Sequence, residues 1–332
     1  MKALIIGNQK RYEKFYPATP FADSVEKIYV SMETPFSQYP KEAFDADFLA
    51  ADAIAKVPAE LIYKMKNLKV IHSEGVGYNG IDCQAAAEHG VYVCNNRGIN
   101  ANAVAEQTVL LILGLFRQVI DGQKAVLEGR QIKKKEQMMI DGIMEIGDCS
   151  IGLIGFGDIG KAVARFLAPW GCKIFYHATK RKREEVEQEY HVTWMELPEM
   201  LKTCNIISLH VPVTTETAGM VDEKFLSSMR KDACLINTAR GEIVDNEALI
   251  KALTEGWIAG AGLDTVAPEP VEADHPLLHL PEEVQKKILF SPHIGGVTTG
   301  TFVRAHRNIW NAFLKISMGE IPDNVVAAPA HR

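Results

Sequence analysis

A glycine loop, GLIGFGDIG at residues 152–160, constrains the fold of this chain more than any other feature. Gly155, Gly157 and Gly160 form the pattern G-x-G-x-x-G, which many unrelated sequences contain by chance. Here an apolar segment precedes the pattern and the amphipathic segment KAVARFLAPW follows it. In that context the first glycine permits a tight turn, the second lets the backbone approach a pyrophosphate, and the third lets helix and strand pack closely. The loop therefore predicts a dinucleotide site at a helix N-terminus, with a plain glycine turn as the alternative.

Short apolar segments alternate with amphipathic ones on both sides of this loop, which is typical of a parallel sheet covered by helices on both faces. Downstream, the pattern predicts six strands, at residues 150–154, 173–176, 206–210, 234–237, 259–263 and 288–290. Six strands with intervening helices match a dinucleotide-binding sheet. Upstream, it predicts strands at residues 2–6, 52–55, 69–73 and 91–94, and a helix at residues 58–65.

The chain has 332 residues, which is too many for one hydrophobic core, so two domains are expected. A helix is predicted from residue 103 to residue 118, with Asn102 as its N-cap. The segment 128–148 is polar and irregular, and we expect it to wrap a neighbouring element or subunit. A last helix, predicted at residues 301–318, follows a finished sheet and is expected to return to the first domain.

Composition and charge exclude several classes of protein. A net charge of −6 disfavours a nucleic-acid partner or a polybasic membrane anchor. The apolar N-terminal stretch, residues 3–6, is too short for a signal sequence, and no stretch has the length of a membrane span. Six scattered cysteines without a C-x-x-C pair indicate buried thiols in a reducing cytoplasm, and no metal site is expected. His275 and His279 are spaced like metal ligands on a helix, but the proline between them favours a solvated loop.

The segment KIFYHATKRKR, at residues 173–183, bears on the choice of cofactor. A strand at this place usually ends in an acidic residue when the cofactor is NAD, because the carboxylate binds the ribose hydroxyls. No acidic residue occurs before Glu184, and Lys180 and Arg181 follow Thr179 instead. A 2′-phosphate would be attracted by these cations, so the sequence favours NADP over NAD. The alternative is that the cations are only the solvated start of a helix.

Arg240, Glu269 and His293 lie in three phrases downstream of the glycine loop, INTARGEIVD, GLDTVAPEP and FSPHIGG. A guanidinium holds a carboxylate by a two-point fork, and an imidazole transfers protons near neutral pH. Glu269 is held between two prolines, which suits a carboxylate that orients an imidazole. Asp264, at the end of another strand, is expected near a nicotinamide ring. Together these residues predict hydride transfer between a nicotinamide cofactor and a 2-oxo or 2-hydroxy acid.

The sequence resembles the D-isomer-specific 2-hydroxyacid dehydrogenase family along nearly its whole length. The matching phrases are SEGVGYNGID (73–82), NANAVAEQTVLLIL (100–113), GLIGFGDIGKAVA (152–164), ISLHVPVTTET (207–217), INTARGEIVDNEAL (236–249), GAGLDTVAPEP and SPHIGG. The resemblance implies two doubly wound parallel-sheet domains of the α/β class. A Rossmann NAD(P)-binding domain at residues 100–297 would be inserted into a flavodoxin-like substrate domain at residues 1–99 and 298–332. It also implies a homodimer.

The same resemblance implies roles for individual residues. Arg240 would bind the substrate carboxylate, Glu269 would be the partner of His293, and His293 would be the acid/base. The backbone of Val76 and Gly77 would also contact the substrate carboxylate. The cofactor would be contacted by residues of the glycine loop and of several strand ends, namely Gly155, Gly157, Asp158, Ile159, Gly160, Thr179, Lys180, Arg181, His210, Val211, Pro212, Thr217, Thr238, Ala239, Asp264 and Gly295. The activity expected is that of a glyoxylate or hydroxypyruvate reductase or of a D-lactate dehydrogenase.

Two departures from the family pattern matter. No acidic residue follows the strand that ends near residue 177, which shifts the choice of cofactor away from NAD. The segment 129–147 does not match the family pattern, so the dimer contacts expected there are not predicted. Two alternatives remain, a formate dehydrogenase and a non-catalytic NAD(H)-sensing relative of transcriptional corepressors. Formate dehydrogenases place a glutamine where Glu269 stands, and the corepressor class is disfavoured because no basic or disordered tail is present. The sequence does not indicate which side group the 2-oxo acid substrate carries.

Overall fold

The structure is a computed structural model that describes residues 1–330 of the chain. Along the first hundred residues, strands and short helices alternate. They are β1 (Lys2–Ile6), α1 (Gln9–Lys14), α2 (Pro20–Ser24), β2 (Glu26–Val30), β3 (Phe48–Ala51), α3 (Ala59–Lys64), β4 (Val70–Ser73), α4 (Cys83–Glu88) and β5 (Tyr92–Cys94).

Three helices then precede a second alternating series. The helices are α5 (Ala101–Phe116), α6 (Val119–Leu127) and α7 (Gln131–Asp141). The series consists of β6 (Ser150–Ile154), α8 (Asp158–Leu167), β7 (Lys173–His177), α9 (Glu184–Tyr190), β8 (Val192–Trp194), α10 (Leu197–Thr203), β9 (Ile206–Leu209), α11 (Glu223–Ser227), β10 (Cys234–Asn237), α12 (Asn246–Glu255), β11 (Gly260–Leu263), α13 (Glu282–Gln285) and β12 (Ile288–Phe290). The chain ends with α14 (Thr299–Ser317) and β13 (Val325–Ala327).

The chain forms two compact units. The first comprises Met1–Ile99 and the chain from Thr298 onward, and the second comprises Asn100–Val297.

The sheet of the first unit has the order β13-β5-β4-β3-β1-β2, in which only β13 is antiparallel to its neighbour. Apart from β13, this is the strand order of flavodoxin-like folds. Successive residues of β1 point to opposite faces, so Leu4 and Ile6 pack in one apolar cluster and Ala3 and Ile5 in another. The second cluster is closed by α14, whose Trp310 and other apolar side chains pack on the sheet.

The sheet of the second unit has the order β12-β11-β10-β9-β6-β7-β8, and all its strands are parallel. Strand β6 stands where the order reverses, which is the topological switch point of a Rossmann fold. Helices cover both faces, so β10 is buried throughout, with Leu235 in one apolar cluster and Ile236 in the other. The predicted fold class, two doubly wound parallel sheets, is confirmed.

Several predicted elements were wrong in position or number. The predicted strand at residues 52–55 is a loop, because the strand β3 lies four residues earlier. The long helix begins at Ala101 with Asn100, not Asn102, at its N-cap. The second sheet has a seventh strand, β8, that was not predicted. Much of the segment 128–148, predicted to be irregular, forms the helix α7.

Within residues 1–330, no single helix has the length and hydropathy of a membrane span. The helices α5 and α6, bent by 55° at their junction, meet that criterion only as a pair.

Candidate active site

The glycine loop occupies the carboxyl end of β6 in the second unit. Gly155 has a φ of +96°, and a Cβ at this position would lie 2.3 Å from the carbonyl oxygen of His210, so no other residue fits. Its N–H donates to the carbonyl oxygen of His177 at 2.8 Å, which joins the loop to the end of β7.

The loop leads directly into α8, and Gly157 is the N-cap of that helix. A Cβ built on Gly157 would meet nothing within 4 Å, so this side of the helix N-terminus is open. The first N–H groups of a helix are unsatisfied and carry a partial positive charge, which suits a pyrophosphate. The shape of the loop therefore suits the phosphates of a dinucleotide, and cofactor contacts by Gly155, Gly157, Asp158, Ile159 and Gly160 remain a prediction.

His210 lies directly after β9, and its N–H donates to the carbonyl oxygen of Ile154 at 2.7 Å. Its Nε2 lies 2.9 Å from the hydroxyl of Ser208, while its Nδ1 is buried without a hydrogen-bond partner in the described part of the chain. Burial lowers the pKa of His210 to about 3, so the ring is neutral at physiological pH. A neutral ring suits a groove-lining residue and does not suit a general acid.

The loop after His210 contains three further residues that were predicted to contact the cofactor, Val211, Pro212 and Thr217. The hydroxyl of Thr217 donates to the carbonyl oxygen of Pro212 at 2.6 Å, so the loop folds back on itself. This contact keeps the loop beside the carboxyl end of β9.

The two cations that follow β7, Lys180 and Arg181, differ in the contacts that they make. Arg181 donates through Nε and Nη2 to both carboxylate oxygens of Glu187, at 2.9 and 2.8 Å. Glu187 is buried and also accepts from the hydroxyl of Tyr176 at 2.7 Å. Arg181 is therefore held in one position, whereas Lys180, the next residue after Thr179, has no carboxylate partner within residues 1–330.

His293 and Glu269, separated along the chain, meet in the second unit. The Nδ1 of His293 lies 2.8 and 3.0 Å from the two carboxylate oxygens of Glu269. A carboxylate can only accept, so Nδ1 carries the proton and Nε2 is left for proton transfer. Both side chains are 43% exposed, which leaves the ring accessible.

The backbone of His293 adopts a φ of +53°, a conformation uncommon for any residue except glycine. Its N–H donates to the carbonyl oxygen of Asp264 at 2.8 Å. The Asp264 carboxylate accepts from the hydroxyl of Ser291 at 2.5 Å and from the N–H groups of Ile294 at 3.0 Å and Gly295 at 2.8 Å. The sequence predicts Asp264 beside a nicotinamide ring, and the structure shows a further role, because Asp264 holds the loop that carries His293.

Arg240 follows β10, whose carboxyl end also presents Thr238 and Ala239. The Arg240 side chain is exposed, and its Nη1 donates to the carbonyl oxygen of Ala239 at 2.7 Å. Thr238 is buried, and its hydroxyl lies 3.0 Å from that of Thr108 on α5. Arg240, Asp264 and His293 thus all follow ends of neighbouring strands, where α/β sheets bind ligands.

His275 has a role that its sequence context did not suggest. We expected a solvated loop, but the ring is buried and accepts the N–H of Leu277 through Nδ1 at 3.3 Å. Its Nε2 lies 3.1 Å from the carbonyl oxygen of Ala267, two residues before Glu269. His275 therefore stiffens the segment that carries Glu269.

No metal-binding cluster exists within residues 1–330.

Val76 and Gly77 belong to the first unit, in the loop that follows β4. The carbonyl oxygen of Val76 accepts from the side-chain amide of Asn95 at 2.8 Å, and that of Gly77 from the hydroxyl of Ser73 at 2.5 Å. Neither backbone N–H has an acceptor within residues 1–330. The carbonyl groups are thus held by the protein while two adjacent donors remain available to an anion.

The chain is similar to known proteins over most of its length. The family model for the NAD binding domain of D-isomer specific 2-hydroxyacid dehydrogenases matches residues 109–295. A glyoxylate reductase from Korarchaeum cryptofilum is 36% identical over 85% of this chain and 83% of its own. A glyoxylate reductase from Aeropyrum pernix is 34% identical over 96% of both chains. The crystal structure of a D-lactate dehydrogenase with NAD+ from Lactobacillus jensenii superimposes with a TM-score of 0.82 at 27% identity, covering 98% of this chain and all of that one.

The chain belongs to the D-isomer specific 2-hydroxyacid dehydrogenase family. The resemblance recognised in its motifs is thereby confirmed, and an oxidoreductase with a pyridine-nucleotide-binding domain is the class of protein that fold and site define.

Proposed function

We propose that this protein reduces a small 2-oxo acid, with glyoxylate and its close analogues foremost, to the D-2-hydroxy acid with NADPH, and that it also catalyses the reverse reaction. The observation that carries the proposal is the contact of His293 with Glu269 at the same sheet edge as Arg240. The glyoxylate reductases to which the chain is similar favour the small substrate.

The residues act in the following way. When bound, the reduced nicotinamide supplies a hydride to C2 of the acid. Arg240 grips the substrate carboxylate with its planar fork and polarises the carbonyl group. His293 gives the proton on Nε2 to the carbonyl oxygen, and the Glu269 carboxylate keeps the ring oriented through Nδ1. In the reverse reaction the neutral ring accepts the hydroxyl proton through Nε2.

Substrate binding in this proposal also involves the first unit. The unpaired N–H groups of Val76 and Gly77 would bind the substrate carboxylate. Residues 1–99 and the chain from 298 onward would form the substrate domain, and residues 100–297 the cofactor domain.

The preference for NADPH rests on the end of β7. His177 contacts the first glycine of the loop, so the adjacent positions are those at which a carboxylate would meet the ribose. These positions hold Ala178 and Thr179, and the cations Lys180 and Arg181 follow. Arg181 is fixed by Glu187 with one guanidinium nitrogen still available, and we propose that it and Lys180 bind the 2′-phosphate.

The proposed activity and the proposed preference for NADPH are both tested by steady-state kinetics. The substrates are glyoxylate, hydroxypyruvate, pyruvate and phenylpyruvate, each with NADPH and with NADH. The activity proposal fails if purified protein turns over none of these acids with either cofactor. The double variant Ala178→Asp with Arg181→Ala should move the preference toward NADH, because the carboxylate repels the 2′-phosphate. Arg183→Ala, which removes a cation at the start of α9, is the matched control. Equal use of both cofactors by the wild type would show that the cations are only a solvated surface.

We also propose a homodimer formed through α6 and α7. Apolar side chains on these helices are exposed, with Leu127 and Ile140 each 79% exposed and Met139 72% exposed. Exposed apolar patches of this kind mark protein interfaces. Light scattering should give the mass of a dimer for the wild type, and Leu127→Lys with Ile140→Lys should give a monomer if this face is the interface.

A cytoplasmic location is proposed from the six cysteines, all of which are unpaired.

A further inference from the structure

The first unit contains a group of ionisable side chains, two buried and two partly buried, that the proposed reaction does not use. The guanidinium of Arg11 bonds to the carboxylates of both Asp52 and Glu74. Glu74 also accepts from the Nε2 of His306 on α14 at 2.9 Å. The side chains of Glu74 and His306 are only 4% and 1% exposed. We call these four residues the Arg11 cluster.

The contacts of the cluster show that its only cation of fixed charge is already paired. A carboxylate can only accept, so His306 donates to Glu74 through Nε2. The guanidinium of Arg11 is bonded to the carboxylates of Asp52 and Glu74, which leaves no unpaired guanidinium for a substrate carboxylate.

The cluster lies where two loops leave the sheet. Asp52 is the first residue after β3, and its carboxylate also accepts the N–H of Ile54 at 3.1 Å. Glu74 is the first residue after β4, and its N–H donates to the carbonyl oxygen of Ala51 at 2.7 Å. Arg11 therefore links the start of one loop to the start of the other.

The second of these loops carries the donors proposed to bind the substrate carboxylate. Glu74 stands two residues before Val76, and its carbonyl oxygen accepts from the side-chain amide of Asn96 at 2.9 Å. Buried charged networks favour one conformation, because any displacement leaves a charged group without its partners. The backbone at the start of a loop that begins in such a network is therefore held in one conformation.

We propose that Arg11, Glu74 and His306 are positioning residues for substrate binding, which hold the loop after β4 so that the N–H groups of Val76 and Gly77 face the substrate carboxylate. The inference rests on the proposed function, in which this loop binds the carboxylate. In this proposal the Arg11 cluster affects the affinity for substrate and does not affect the chemical step or cofactor binding.

The test compares two substitutions in the cluster with one matched control. Glu74→Gln keeps the size of the side chain but removes its charge and one acceptor, and Arg11→Lys keeps the charge but removes the fork. Lys69→Gln breaks the ion pair between Lys69 and Asp47, 2.9 Å long, at the amino ends of the same two strands. The control thus changes a charge in the same sheet, at the edge opposite the proposed site.

Both cluster variants should raise the KM for glyoxylate by roughly 10- to 100-fold, the scale of an ångström-sized displacement of a binding group. Because the lost contacts hold substrate in both ground and transition states, kcat should change less than about threefold. The dissociation constant of NADPH, measured by fluorescence, should stay at the wild-type value. Lys69→Gln should keep the wild-type KM. A KM within twofold of the wild type in the cluster variants, or an equal rise in Lys69→Gln, overturns the inference.

Hydrogen exchange separates this inference from the proposed function. If the wild type reduces no 2-oxo acid, the proposed function fails, yet exchange at the amides of Ile54 and Glu74 still reports on the cluster. Faster exchange there in Glu74→Gln than in Lys69→Gln supports the positioning role, and equal exchange refutes it. If Glu74→Gln does not fold, Arg11→Lys decides by the same measurements.

Discussion

Replacing Asp264 with asparagine should loosen the loop that carries His293 while leaving the side chains of Arg240, Glu269 and His293 unchanged. The two oxygens of Asp264 accept three hydrogen bonds, from Ser291, Ile294 and Gly295. Asparagine has the same shape but only one acceptor oxygen. With that oxygen toward Ser291 and Ile294, its amide group faces the N–H of Gly295, so one bond is lost and two donors oppose each other.

The size of the effect follows from this count. A hydrogen bond to a charged group contributes about 1.5–3 kcal/mol, and a buried donor without a partner costs about 1–3 kcal/mol. These two contributions partly describe the same lost bond, so we expect the substitution to lower the stability of the loop by about 2–3 kcal/mol. That corresponds to roughly a 30- to 160-fold change in the equilibrium for local opening.

Two measurements test this expectation. Amide hydrogen exchange at Ile294 and Gly295 should accelerate by about that factor, and kcat should fall because His293 is held less often in its productive orientation. Asp245→Asn is the matched control, since Asp245 accepts two N–H groups at the N-cap of α12 and asparagine caps a helix equally well. Unchanged exchange and kcat in Asp264→Asn would refute the view that this carboxylate holds the loop.

Three further predictions concern the reaction and the stability of the fold. His293→Asn should lower kcat by roughly 10²–10⁴-fold while the cofactor still binds, and a variant with more than about a third of wild-type turnover would remove His293 from the acid/base role. Arg240→Lys should raise the KM for 2-oxo acids strongly because lysine lacks the planar fork, and an unchanged KM would place the carboxylate elsewhere. Burial lowers the pKa of His72, which is 2% exposed, to about 4, so between pH 7 and pH 5 the unfolded chain takes up a proton that the folded chain does not. Stability should therefore fall by about 2 kcal/mol over that range on account of this group, and His72→Gln should show a smaller fall of the urea midpoint, which an unaltered pH dependence would contradict.

Much of the architecture was readable from the sequence because it depends on local patterns. A strand buried on both faces is a short apolar run, and the glycine loop has a backbone conformation that only certain residues adopt. Strands β1, β6, β10 and β12 accordingly have the predicted bounds. Prediction was poorest where the local signal was ambiguous: the segment 52–55 is as apolar as a strand but lies in a loop.

The residues proposed for the chemistry stand out in the sequence because few side chains perform it and because their phrases are specific. Their contacts were not identifiable in the same way. Nothing in the phrase GLDTVAPEP shows that Asp264 bonds to the loop of His293, and nothing near Lys180 shows that Arg181 is held by Glu187.

The Arg11 cluster shows most clearly what only the tertiary structure decides. Arg11, Glu74 and His306 are far apart along the chain and lie in segments of ordinary composition. They meet because the carboxyl ends of parallel strands come to one edge of the sheet and because α14 returns to the first unit. The sequence alone indicated most of the strands and the side chains proposed for the chemistry. Which charges become neighbours was decided by strand order, since that order depends on the packing of the whole sheet and not on any local segment.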